Sequence, residues 1–160
     1  MPLIDRYREQ AGKLVWAAGA NAMLAYKPIL DQHPHITSFG SEKWQYYLTV
    51  AGVYAAIMRL VHDRLLEGSH LNEVLDVIEK SLAAKYPDGP AALEECRTMV
   101  DASFAEGPRG RDEDQEFSFS DRIGAWILFK MNGPRDLKDG YQLIRNLGLS
   151  VTSAFASWWS

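Results

Sequence analysis

The sequence predicts an all-α protein, a single domain over 1–160 with five to seven helices packed around one buried central helix at about residues 41–67. Three observations carry that expectation. Residues 44–58 (WQYYLTVAGVYAAIM) hold no charge and are apolar almost all the way round, as in a helix surrounded by neighbours rather than lying on a surface. Other segments repeat apolar residues at helical spacing and are punctuated by Pro and Gly. No stretch of convincing period-two alternation occurs, apart from the short Phe117–Ser120.

The first helix is expected from about Leu3 to Ala25. Leu3, Tyr7, Leu14, Ala18, Ala22 and Ala25 keep helical spacing, and the charges gather in its first half. The second half is small and uncharged (Ala17, Ala18, Gly19, Ala20, Ala22), which suits close approach to the central helix. Pro28 is expected to end it, because proline disfavours helix in the residue before it. Residues 28–40 read as a connector broken by Pro34 and Gly40.

Ser41 is the expected cap of the central helix, which is read as running to Glu67 and stopping at Gly68. That makes it the longest element, about 40 Å. A third helix is expected from Ser69 or His70 to Tyr86, with Leu71, Val74, Leu75, Ile78 and Leu82 on one stripe. Pro87-Asp88-Gly89-Pro90 forms a turn with proline at the start of a fourth helix, which runs to about Phe104 with Leu93, Cys96 and Val100 inward.

Residues 106–116 (EGPRGRDEDQE) form the one low-apolarity stretch, read as a mobile charged loop. A fifth helix is expected at Asp121–Met131 and a sixth at Arg135–Asn146, separated by Asn132-Gly133-Pro134. Leu147, Val151, Phe155 and Trp158 continue helical spacing into an uncharged tail.

The formal charge of −4 and the absence of a basic patch argue against a phosphate-backbone partner, so no nucleic acid is expected. Leu143–Trp159 contains a Leu-Gly-Leu-Ser resembling the turn of a helix-turn-helix. The segment after Ser150 nevertheless has no Lys, Arg, Asn or Gln to reach a base, and Ile144 stands where a close crossing wants a small side chain. The lone Cys96 fits a reducing compartment. The first residues lack the basic start of a signal peptide, and the uncharged runs are shorter than a membrane span needs, so a cytoplasmic protein without a membrane partner is expected.

Candidate chemistry is sparse, and no cofactor is expected. His33-Pro34-His35 could chelate a metal from an extended strand, but no further ligand stands nearby, and two solvated histidines are the simpler reading. Glu67-x-x-His70 has the spacing of one di-iron ligand pair, yet such centres need two pairs and two further glutamates. Asp112, Asp114 and Glu116 open like a calcium loop but lack its glycine and closing glutamate. His62, Asp63 and Glu67 are the catalytic candidates: Asp63 and Glu67 would share a helix face, and His62 could shuttle a proton. Arg59 and Arg64 beside them fit an ordinary polar helix end equally well.

The aromatic tail is the expected contact surface, through Val151, Phe155, Trp158 and Trp159, because large aromatics enrich interfaces. The simpler alternative is that the tail packs back on the protein. The function expected from sequence is that of a non-catalytic helical protein acting through protein–protein contact, with another protein or itself as a homodimer. The alternative is a bundle, enzymes included, with a small-molecule or metal site near the central helix, drawing on Trp44, Tyr46, Tyr47 and Tyr54.

Overall fold

The computed structural model describes residues 3–32, 41–106, 119–132 and 140–160. The described residues form six helices and no strand: α1 (Leu3–Gln32), α2 (Ser41–His62), α3 (Gly68–Lys85), α4 (Gly89–Glu106), α5 (Phe119–Asn132) and α6 (Gly140–Thr152). The protein is an all-α bundle, as the absence of alternation implies. Of the expected features, His33, His35, residues 107–116 of the charged loop, Phe117, Ser118 and the start of the expected sixth helix at 135–139 lie outside the described residues.

α2 is the partition of the bundle. On one side Trp44, Leu48, Ala51, Tyr54 and Ala55 pack with Cys96 and Val100 of α4, Ile123, Trp126 and Ile127 of α5, and Leu143, Leu147 and Val151 of α6. On the other, Val53, Ala56 and Leu60 join Tyr7, Ala11, Leu14 and Ala18 of α1, Val74, Ile78 and Leu82 of α3, and Phe155 and Trp159. A helix with a hydrophobic cluster on both flanks has nowhere to put a charge, which explains residues 44–58. The close approach of α1 uses its small residues as expected. Ala18 and Ala22 are buried, and a Cβ on Gly52 would meet Ala18 and the Phe155 ring.

Three expected boundaries move. α1 does not stop before Pro28 but continues to Gln32 with that proline inside, which makes it the longest helix, 30 residues or about 45 Å. Proline removes the bond to the carbonyl four residues back, here that of Leu24. Leu24 and Pro28 are both exposed, so water can satisfy that carbonyl, and Ile29 beyond it is buried in the core.

α2 ends at His62 rather than Glu67. Arg64 takes a left-handed conformation (φ 52°) while its N–H donates to Val61 O (3.2 Å) and the Leu65 N–H to Leu60 O (3.2 Å). That pair of bonds is a Schellman closure with arginine in the place glycine usually takes. The gain lies in Leu66, which is buried with Leu60, Val74 and Ile78. On a continued helix it would stand about 240° round from Leu60, facing away from that cluster. Gly68, expected to stop α2, instead opens α3 with φ 63°.

α6 extends to Thr152, so the Leu-Gly-Leu-Ser that resembled a turn lies within a continuous helix, and only the residues after Thr152 turn back. The glycine of that sequence, Gly148, faces α5. A Cβ on it would lie 1.8 Å from Ser120 O, and one on Gly124 would lie 1.9 Å from Ile144 O. The crossing of α5 and α6 is therefore backbone against backbone at two reciprocal points. Ile144 is tolerated there because it is its carbonyl, facing Gly124, that lies at the contact.

Gly12 is the opposite case. It lies inside α1, is exposed, and a Cβ would meet nothing within 4 Å. Gly12→Ala is expected to stabilise the protein by about 0.5–1 kcal/mol, through helix propensity and a less flexible unfolded chain. Urea unfolding should show a higher midpoint at unchanged slope.

Candidate functional site

The polar end of α2 is where the side chains singled out for chemistry stand. Arg59, on the last turn, places its guanidinium 3.3 Å from Asp63, and His62 Nδ1 lies 3.4 Å from the same carboxylate. Asp63 still donates its N–H to Arg59 O (3.0 Å), so the Arg59–Asp63 pair keeps the i,i+4 spacing of the last helical turn, and the chain leaves the helix at Arg64. Glu67 does not share a face with Asp63; it is an exposed, extended residue ahead of α3 and makes no side-chain capping bond. The expected pair of carboxylates on one helix face therefore does not form. His62 is 82% exposed, so water competes for its contact with Asp63. His70 is likewise exposed in the first turn of α3. Among the described residues, no group of three or more His, Cys, Asp or Glu side chains could hold a metal ion.

Of Trp44 and the three tyrosines named as pocket candidates, Tyr46 and Tyr47 join a chain of ring contacts, and Tyr54 lies 6.0 Å from the Phe119 ring. Trp44 and Tyr54 are buried, at 1% exposure each. Tyr46 meets Tyr47 and Tyr86 edge to face, with centroids 4.9 Å apart in each pair, and Tyr47 meets Trp126 at 5.6 Å. Lys130 stands over the Tyr47 ring and is paired with Glu95 (2.9 Å), which also accepts the Trp126 indole N–H. Burial, helped by the neighbouring Tyr47 and Asp88, pushes the Tyr46 phenol above its ordinary pKa, keeping it a neutral donor. This chain of edge-to-face contacts joins α2 to α5 and to Tyr86 at the end of α3, and Glu95 ties α4 to it through Trp126 and Lys130.

Two clefts flank Arg59. One, of about 380 Å³, lies between Met58, Arg59 and His62 of α2 and Phe119 at the start of α5. The other, of about 280 Å³, is lined by Arg6 and Tyr7 of α1, Arg59 and Asp63 of α2 and the following turn, and Trp159 of the C-terminal segment. Trp44, Tyr46, Tyr47 and Tyr54 line neither. Arg6 and Tyr7 were not singled out from sequence. More than fifty positions separate them from Arg59, and only the antiparallel packing of α1 on α2 brings the three together.

The aromatic tail turns inward. Val151, Phe155 and Trp159 are 0%, 3% and 4% exposed, and Trp158 is partly buried. Trp159 Nε1 donates to Ala56 O (2.8 Å), and its ring lies 5.7 Å from that of Tyr7. The Trp158 carbonyl accepts Gln10 Nε2 at 3.2 Å, and its ring packs edge to face with Phe155. The surface expected to meet a partner is thus, for three of the four residues, core. The α1–α2 pair leaves a furrow over Ala18 and Gly52 that Phe155 fills more favourably than water does.

The outward face of α1 is the surface that sequence reading passed over. Trp16, Met23 and Leu24 are 74%, 61% and 78% exposed. The signal was present in the uncharged run 14–26, which offers more apolar residues than one buried stripe needs. None of the described helices is long and apolar enough to cross a membrane. Comparison with protein-family models, with curated proteins and with solved structures returns no match, so the functional reading rests on this geometry.

Proposed function

We propose that this is a non-catalytic helical protein that acts through protein–protein contact, and that the outward face of α1 is the contact surface, with a second copy of the chain as its occupant. The observation that carries the reading is the exposure of Trp16, Met23 and Leu24 on a segment with no charge between Lys13 and Lys27. Together the three side chains expose on the order of 400 Å² of apolar surface, the size of patch that marks interaction sites. Trp and Met are also residue types that enrich interfaces.

The second copy is favoured by area and by charge. Antiparallel pairing of two α1 helices about Ala20 sets Trp16 of one copy beside Leu24 of the other. It buries both patches, about 800 Å² in all, the size of a weak, concentration-dependent pairing rather than of a permanent dimer. Lys13 then faces Lys27 across the axis, but each has an acid of the other copy within one turn, Asp31 and Glu9 respectively. Lys13 is already paired with Glu9 of its own chain at 3.1 Å. A cytoplasmic setting fits the lone, buried Cys96.

Sedimentation velocity tests this. The unmodified chain is expected to shift from monomer to dimer over a micromolar range. Trp16→Glu combined with Leu24→Glu should remain monomeric with unchanged melting temperature, because neither side chain contributes to the core. A monomer at several hundred micromolar, or dimers that survive the double substitution, would show that this face is not the contact.

A further inference from the structure

Resting on the reading of the outward face of α1 as a contact between two copies, we infer that this contact is specified by a reciprocal hydrogen bond. The Trp16 indole N–H of each copy donates to the Leu24 carbonyl of the other. The face then recognises a donor and an acceptor as well as apolar area.

The acceptor follows from the proline inside α1. Pro28 has no N–H, so it cannot close the helical bond to the carbonyl four residues back, that of Leu24. Leu24 is 78% exposed and Pro28 is exposed beside it, so the freed carbonyl stands on the solvent side of the helix. A helix that runs through a proline to bury Ile29 thereby offers one backbone acceptor on an otherwise apolar face. The donor is Trp16, which is 74% exposed and whose indole N–H has no acceptor among the described residues. An indole carries this single polar group, a donor only, and needs a partner for it once covered.

Their positions make the two groups complementary. In a two-fold symmetric contact, if residue i meets residue j of the other copy, j meets i in return. Trp16 and Leu24 lie four residues to either side of Ala20, so an antiparallel pair about Ala20 makes the bond twice. Packed helices stand about 8–10 Å apart, which leaves about 3–5 Å between the facing Cα cylinders, a gap that an indole crosses. Parallel pairing would instead set donor beside donor and acceptor beside acceptor. Some other apolar helix could cover the patch, but it would bury an indole N–H and a carbonyl without partners, which is unfavourable. The same two groups therefore select a second copy and its direction.

The test is sedimentation velocity of the full chain, of Trp16→Phe, of Pro28→Ala and of the double substitution, with hydrogen exchange of the indole N–H followed by ¹⁵N NMR. Phenylalanine keeps most of the apolar area without the donor. Alanine at position 28 supplies the N–H that closes the helical bond to Leu24 O, and so withdraws the acceptor. Each single substitution should raise the dimer dissociation constant roughly 10- to 100-fold, two bonds being lost per dimer. Pro28→Ala should do so while raising the melting temperature of the dilute, monomeric chain, because it adds a helical bond. In the Pro28→Ala background Trp16→Phe should cost about threefold or less, since both changes remove the same bond. The Trp16 indole signal, identified by its absence from Trp16→Phe, should exchange slowly in the dimer and freely in Pro28→Ala. A dissociation constant that neither single substitution changes, or effects that multiply in the double variant, would overturn the hydrogen bond and leave the contact surface standing. A chain that stays monomeric at several hundred micromolar would overturn both.

Discussion

Gly148→Ala is expected to lower the stability of this protein by about 3 kcal/mol or more, although the same change in an ordinary helix is stabilising. Two effects oppose each other. Alanine is better than glycine in a helix interior by about 1 kcal/mol. Against that, the added methyl would lie 1.8 Å from Ser120 O and 2.6 Å from Ser120 C, both backbone atoms that no rotamer change can move. α5 and α6 must then separate by about the width of the overlap, loosening Ile123, Ile127, Leu143 and Leu147, which are all fully buried. Overpacking that shifts backbone costs about 1–3 kcal/mol and more where a whole element moves, so the clash wins.

Thermal unfolding should show a melting temperature lower by roughly 6–12 °C. Gly124→Ala, facing Ile144 O at 1.9 Å, should behave alike. The double substitution should cost less than the sum of the two, because once the helices have parted the second methyl meets less resistance. Gly12→Ala, with nothing near its Cβ, supplies the opposite sign in the same molecule. Strict additivity at Gly124 and Gly148, or stabilisation by either, would show that the helices are not in backbone contact.

Trp159→Ala carries the second large effect, a loss of about 3–5 kcal/mol. The side chain is 4% exposed, its indole N–H donates to Ala56 O, and its ring covers Tyr7. Removing it opens a cavity between α1 and α2 at the end of the bundle. Trp159→Phe should retain most of the burial and lose mainly the hydrogen bond, about 1 kcal/mol. A chain ending at Leu149 removes Val151 and Phe155 as well, and should unfold at a far lower denaturant concentration. A free contact surface would behave differently, since its truncation leaves stability untouched and changes only association. Urea midpoints measured beside sedimentation on the same variants separate the two cases.

Much of the fold was legible because it rests on local pattern. Val74, Ile78 and Leu82 declared the α3 stripe, and within the expected fifth helix Ile123, Trp126, Ile127 and Met131 keep the same helical spacing. All seven are buried. The uncharged run 44–58 marked the helix that has a hydrophobic cluster on each flank. Legibility failed where a local signal competed with a distant contact. Pro28 speaks for a helix end, but Ile29 finds core beyond it. Residues 63–67 continue a helical pattern, but Leu66 reaches its cluster only if the chain turns at Arg64. The candidate chemistry at Asp63 and Glu67 depended on that pattern and separated with it.

By itself the sequence determined the helical class, the identity of the central helix and the stripes that pack on it, because periodicity and charge placement are properties of short segments. Tertiary structure alone decided which apolar residues were left over. The tail and the second half of α1 are equally uncharged and look equally able to face a partner. The furrow between α1 and α2 admits Phe155 and Trp159, while Trp16, Met23 and Leu24 stay exposed. The same packing set Arg6 beside Arg59. Burial of one segment and exposure of the other follow from the shape of a space made by residues far away in the chain, and no local pattern carries that information.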